Sequence, residues 1–154
     1  MMLGARGTSI IVSSGDGGVA GNTSQQCTNF VPTFPSTCIF VTSVGSTTGI
    51  IETASGFSSG GFSNVFTTPG YQIVAVETYL SIIGNLNAGK FNRLGRAFPD
   101  VSAQGQNVVE ALNGIGRLIS GTEASSTAFA SIIALINDVL LSNGNGFLGF
   151  LNRY

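Results

Sequence analysis

The feature that most constrains this chain lies near its C-terminal end. Residues 120–127 read SGTEASST, small and turn-prone, and pass abruptly into an apolar stretch from Ala128 to Leu141. Phe129, Ile132, Ile133, Ile136 and Leu140 recur at helical spacing. That spacing predicts a helix from about Ser125 to Leu141, and its nearly all-round apolarity predicts a helix central to the core. Asn137 and Asp138 interrupt the run, which is too short to cross a bilayer, so no membrane partner is expected. A chain that buries such a helix needs a broad surface to lay against it.

That surface is read from short β-branched runs. Thr8 to Ser14 (TSIIVSS) predicts a buried strand running into the tight loop GDGG, and Phe40 to Thr47 (FVTSVGST) predicts a second. Between Ile50 and Gly70 the chain is dense in Gly and Ser, which reads as loop: a surface linker, or a place where backbone approaches backbone or ligand closely. From Tyr71 to Ile83 apolar residues fall at helical spacing. Residues 107–112 and 115–119 flank Asn113-Gly114, a strong hairpin signal. Strands mixed with helices and no repeat period give an α/β fold, and 154 residues make one domain, or part of one, over 1–154.

Charge and composition narrow the chemistry. Seven acidic residues against six basic ones leave no basic stripe, so nucleic acid is not an expected partner. Histidine is absent, which excludes a Ser-His-Asp or Cys-His site and a His-ligated metal; acid–base work falls to carboxylates. Cys27 and Cys38 enclose the ten residues TNFVPTFPST, which suits a local disulfide in a secreted protein, worth about 2 to 3 kcal/mol; two buried free thiols are the alternative. Asn22 heads an Asn-Thr-Ser glycosylation sequon, in keeping with secretion. The start, MMLGARGTSIIV, shows no apolar signal core before Arg6, so no signal peptide is visible and the sequence is expected to begin inside a larger domain.

Two stretches bear on a site. Residues 15–20 fit G-x-G-x-x-A, but residues 21–35 are rich in Asn, Thr, Gln and Pro where a helix should open, and the next carboxylate is Glu52, so a dinucleotide site is not expected. Asp16 sits among those glycines at the carboxyl end of a strand, where α/β folds assemble their sites; alone, an aspartate there caps its own turn. Ser120-Gly121-Thr122, opening the long helix, is a fitting partner, because a helix N-terminus offers free N–H groups and a positive field to a nucleophile or an oxyanion.

Five motifs then occur in order: SSGDGGVAG (13–21), FPSTCIFVTSVGSTTG (34–49), SSGGFSNVF (58–66), GRAFPDVSAQG (95–105) and SGTEASSTAFASIIALIND (120–138). Together they resemble the sedolisins, acid-acting serine-carboxyl peptidases of subtilisin-like fold, and within them the fungal secreted tripeptidyl peptidases. The resemblance implies a seven-stranded parallel sheet flanked by helices, here incomplete at both ends. It implies a Ser-Glu-Asp triad and, at Asp16, the aspartic acid that helps bind the oxyanion, for which a carboxyl group must be protonated. It further implies peptide or protein substrates, an extracellular setting, and a calcium site that would lie beyond Tyr154, leaving no cofactor or metal for this chain. Sheet edges left open would invite self-association.

One departure decides the expected activity. The family's nucleophile motif reads SGTSASSP, whereas this chain reads SGTEASST, placing Glu123 on the serine and Thr127 on the proline. The triad's Glu and Asp belong to a helix upstream of the five motifs. Glutamate is a poor nucleophile toward amides, and a missing nucleophile and base leave only binding and oxyanion stabilisation. The expectation is therefore a truncated, degenerate serine-carboxyl peptidase domain without proteolytic activity as written. The alternatives are an active acid peptidase whose chain is incompletely recorded and a peptide-binding pseudopeptidase. An acidic residue at a helix N-terminus also gains roughly 0.3 to 1 kcal/mol from the helix dipole, so Glu123 is structurally acceptable there.

Overall fold

The computed structural model describes residues 1–21 and 27–152. Along the chain run α1 (Met2–Ala5), β1 (Ile11–Ser13), β2 (Thr42–Thr48), β3 (Thr53–Ala54), β4 (Gly61–Thr67), α2 (Ile73–Ile83), β5 (Gly95–Phe98), β6 (Val101–Gln104), β7 (Val108–Leu112), β8 (Ile115–Ile119) and α3 (Thr122–Ser142). Single 3-10 turns occupy Gly18–Ala20 and Gly70–Gln72.

The two β-branched runs become parallel neighbours, with Ile11 opposite Thr42 and Ser13 opposite Val44. On its other edge β2 pairs in parallel with β6, from Val44 opposite Val101 to Thr47 opposite Gln104. Beyond the end of β1, β3 pairs antiparallel with Thr47 and Thr48. Of the seven parallel strands that the resemblance implies, the described residues hold this three-strand parallel core. Helix α3 packs on β1, β2 and β6.

The central strand is unusual in its residues. A strand buried on both faces is normally Val- and Ile-rich, yet β2 reads TSVGSTT, with Thr42, Ser43, Val44 and Ser46 all buried. Small side chains let neighbouring layers approach, and most of the hydroxyls must then find partners. Thr42 Oγ1 donates to Asn152 Oδ1 at 2.9 Å, and the Ser46 and Ser55 hydroxyls lie 2.9 Å apart. The fully apolar core is correspondingly thin: Ala20, Val41, Val44, Phe62, Val76, Phe98 and Ile133.

The Asn113-Gly114 signal gives the hairpin β7–β8, paired in register from Val108 opposite Ile119 to Leu112 opposite Ile115. Asn113 and Gly114 take φ of 51° and 75°, the two left-handed residues that a two-residue turn of matching twist requires. The helix expected from Tyr71 begins two residues later, after a 3-10 turn, and buries only Val76.

Two expectations are corrected. The segment between Ile50 and Gly70 is not a surface linker: Gly61–Thr67 is strand β4, paired antiparallel with β5. Buried Ser59 and the neighbouring Ser58 accept backbone N–H groups from Gly17 and Ser46 through their hydroxyls. Helix α3 is longer than predicted and is not enclosed. Among its residues only Thr122, Ser125 and Ile133 are buried, while Leu135 and Val139 are well over half exposed. Three strands cover one side of a 21-residue helix, and its outer face has no second layer among the described residues. By length and composition alone α3 is enough to cross a membrane, a criterion that a core helix also meets.

Candidate active site

The site forms where the carboxyl end of β1 meets the N-terminus of α3. Past Ser13 the chain turns through Gly15 at φ +100°, a conformation that favours glycine, and a Cβ there would lie 3.2 Å from Ser59 Oγ. Hydroxyls lace this strand end in place. Ser36 Oγ donates to the Ser13 carbonyl and Thr33 Oγ1 to the Ser14 carbonyl, each at 2.7 Å, while the Ser59 amide donates to the Gly15 carbonyl at 2.8 Å.

From the other side, the Gly121 amide donates to the Gly105 carbonyl at 2.9 Å, tying the start of α3 to the end of β6. Gly105 is what permits this approach. A Cβ on it would stand 2.0 Å from Ser125 Oγ and 2.5 Å from Ser46 Oγ. Thr122, fully buried, then meets the Asp16 loop: its amide and its hydroxyl both donate to Asp16 Oδ1 at 2.8 Å, and its hydroxyl oxygen accepts the Gly15 N–H at 3.0 Å.

Asp16 therefore caps a helix 106 residues further along the chain rather than its own turn. Gly121 at the N-cap has no side chain to do this, and Asp16 satisfies one of the orphan amides of the first turn from outside. Glu123 is the next residue of that turn. Its Oε1 accepts the Ser13 hydroxyl at 3.3 Å. Its Oε2 and Asp16 Oδ2 face one spot over Gly121, where a Cβ would lie 2.8 Å from the first and 3.0 Å from the second. Any side chain at 121 would push into both carboxylates. Asp16 and Glu123 are both solvent-exposed, so both are open to an incoming molecule.

Beside the Asp16 loop opens a cleft of about 740 Å³. Gly18, Val19 and Gly60 are among the residues that line it, and so are Phe62, Tyr79 and Phe91, with the Phe62 and Phe91 rings stacked at 4.9 Å. Among the described residues no group of three or more His, Cys, Asp or Glu side chains could hold a metal ion.

Other sequence-named residues fall outside this site. Cys27 is exposed and Cys38 half-buried, and both are free thiols. The expected bridge is not formed: Cys38 is fixed by its amide in a turn closed on the Pro35 carbonyl, and Cys27 stands in a left-handed conformation at φ 52°. Asn22 lies outside the described residues.

A second polar cluster lies around Asp100, just before β6. Arg96 is 0 % exposed and pairs with Asp100 four residues on. Asp100 Oδ2 also accepts the Ser43 N–H at 2.7 Å, and its Oδ1 accepts Gln72 Nε2 at 2.7 Å. Arg96 donates in addition to the Ala97 and Val41 carbonyls. The signal was present: Arg-x-x-x-Asp around a Phe-Pro pair, in a chain with only 8 % charged residues. Nearby, burial pushes the Tyr71 phenol above its usual range, against the opposing charge of Arg96; its hydroxyl donates to the Ile39 carbonyl at 2.9 Å.

The described residues thus define a parallel α/β sheet whose strand-end carboxylate is docked on the first turn of a helix. Over nearly its whole length the chain is similar in sequence to curated fungal tripeptidyl-peptidases, and in fold to a solved sedolisin. It is 50 % identical over 157 residues to the probable tripeptidyl-peptidase SED3 of Arthroderma benhamiae and 49 % identical over 157 residues to the tripeptidyl-peptidase SED2 of Arthroderma otae. Each match covers 99 % of this chain and 26 % of the relative, so the chain spans about a quarter of the length of these proteins. Among solved structures it is similar in fold to Pseudomonas sedolisin, a serine-carboxyl proteinase complexed with two molecules of pseudo-iodotyrostatin. The TM-score is 0.70 at 23 % identity, covering 97 % of this chain and 43 % of that one. No protein-family model matches the chain.

Proposed function

We propose that this chain is a peptidase-like segment that holds peptides beside the Asp16–Glu123 face and does not hydrolyse amide bonds by the serine route. The observation that carries this reading is the side chain at the head of α3. Where the resemblance implies a serine hydroxyl, Glu123 presents a carboxylate. The Thr122 hydroxyl, which also lies between the two elements, is buried and bonded on both sides by Asp16 and Gly15. The resemblance puts Asp16 on the oxyanion-binding aspartate, and the neighbouring cleft of about 740 Å³, lined in part by glycines, suits an extended peptide.

The test is an assay of tripeptide release and casein cleavage at acid pH on material whose folding is checked by circular dichroism, with peptide binding measured on the same sample. Binding without turnover is expected. Turnover that disappears in Glu123→Gln would overturn the reading. A second reading, in which the chain works as part of a longer acid peptidase, is favoured by its spanning 26 % of its relatives' length; adding the remaining portion of such a relative in trans would then produce cleavage.

A further inference from the structure

Three hydroxyls of the described chain donate to a carboxylate, and they differ in what they are free to do. Thr122 is buried and spent on Asp16 and Gly15. Thr47 bonds Glu52, five residues away in the local turn after β2, with no helix end beside it. Ser13 is half-buried at the end of β1 and donates only to Glu123 Oε1, at 3.3 Å, next to the positive end of the 21-residue helix α3. Its oxygen carries no other hydrogen bond among the described residues, so its lone pairs remain available.

We infer that Ser13 is a displaced nucleophile and Glu123 its proton acceptor, a hydroxyl–carboxylate pair reactive toward activated esters and fluorophosphonates. The carboxylate at the head of the helix then has the role of base, and the nucleophile stands across from it on the strand. A hydroxyl becomes an effective nucleophile when an adjacent base takes its proton as it attacks. In the first step Ser13 Oγ bonds to the acyl carbon and its proton passes to Glu123 Oε1. The leaving group then departs with its electron pair, and the N-terminal end of α3 stabilises the developing oxyanion. Glu123 gives its proton up to the departed leaving group through solvent. In the second step it takes a proton from the attacking water, the acyl–Oγ bond breaks, the free acid is released, and that proton passes from Glu123 to Ser13 Oγ. With a fluorophosphonate the new bond is to phosphorus, fluoride leaves, and the adduct persists.

The class of substrate follows from the base. A carboxylate is in general a weak base, and only substrates whose leaving group departs without prior protonation are expected to react. Amides, whose nitrogen must be protonated to leave, fall outside that class. The inference is independent of the peptide-binding reading: peptide binding and covalent labelling are separate readouts, and either can fail alone.

The experiment incubates the purified chain with a fluorophosphonate and locates the mass increment by peptide mapping, in buffer and in strong urea. An adduct on Ser13 in buffer, lost in urea and absent in Ser13→Ala, is expected. Glu123→Gln, which keeps the shape and removes the base, is expected to slow labelling by about 100-fold or more, whereas Thr47→Ala leaves the rate unchanged. An adduct on another residue, equal labelling in urea, no labelling, or a Glu123→Gln chain that labels at the parent rate would each overturn the assignment.

Discussion

Two polar clusters mark different places in the small parallel sheet, and they are built on opposite terms. Around Asp100, Arg96 and Asp100 are withdrawn from water and nearly every polar atom is spent on neighbouring backbone or on Gln72, so that β2, β5 and the turn before α2 are locked to one another. At the carboxyl end of β1, Asp16 and Glu123 are exposed; each has one oxygen bonded and the other turned toward the space over Gly121. A buried pair in this arrangement specifies the framework. An exposed pair held at one oxygen each leaves charge available to something that arrives from solution.

Removing one member of each cluster separates these roles. Asp100→Ala takes the carboxylate away from the fully buried Arg96 guanidinium, and the expected loss is about 3 to 5 kcal/mol in urea unfolding, enough to unfold a small domain. Asp16→Ala removes the cap from α3 at an exposed position, with an expected loss of about 1 kcal/mol and a folded chain by circular dichroism. If the two substitutions cost the same, the contrast between the clusters is wrong. The smallest effect concerns Tyr71. Its proton is held more tightly in the folded than in the unfolded chain, chiefly by burial. The corresponding stability is fully present below the unfolded pKa of about 10 and is lost as pH rises from there through the folded value. Tyr71→Phe is expected to abolish that alkaline decline while losing the bond to Ile39, which thermal unfolding at neutral and alkaline pH resolves.

Local signals were legible where local physics decides. The Asn113-Gly114 turn and its hairpin followed from two residues that accept positive φ, and the strand runs from their β-branched residues. What failed depended on neighbours that a single run cannot show. The segment from Ile50 to Gly70 reads as loop until β5 is there to pair with it, and α3 reads as enclosed because its sequence reports apolarity, not how many strands lie against it. At the site, the meeting of Asp16 with Thr122 was foreseeable from a strand end and a helix start. The bond from Ser13 to Glu123 was not, since Ser13 in sequence is one of many small hydroxyls that fill a tightly layered sheet. The Arg96–Asp100 pair was visible as spacing, but its burial comes from the layers of β2 and β5.

The cap that Asp16 places on a helix 106 residues later sets an order of events during synthesis. A ribosome releases the aspartate several seconds before Thr122 exists, at roughly 5 to 20 residues per second, and until then neither carboxylate has its counterpart. Whatever chemistry this face performs is thus silent until α3 has been made and settles onto the sheet.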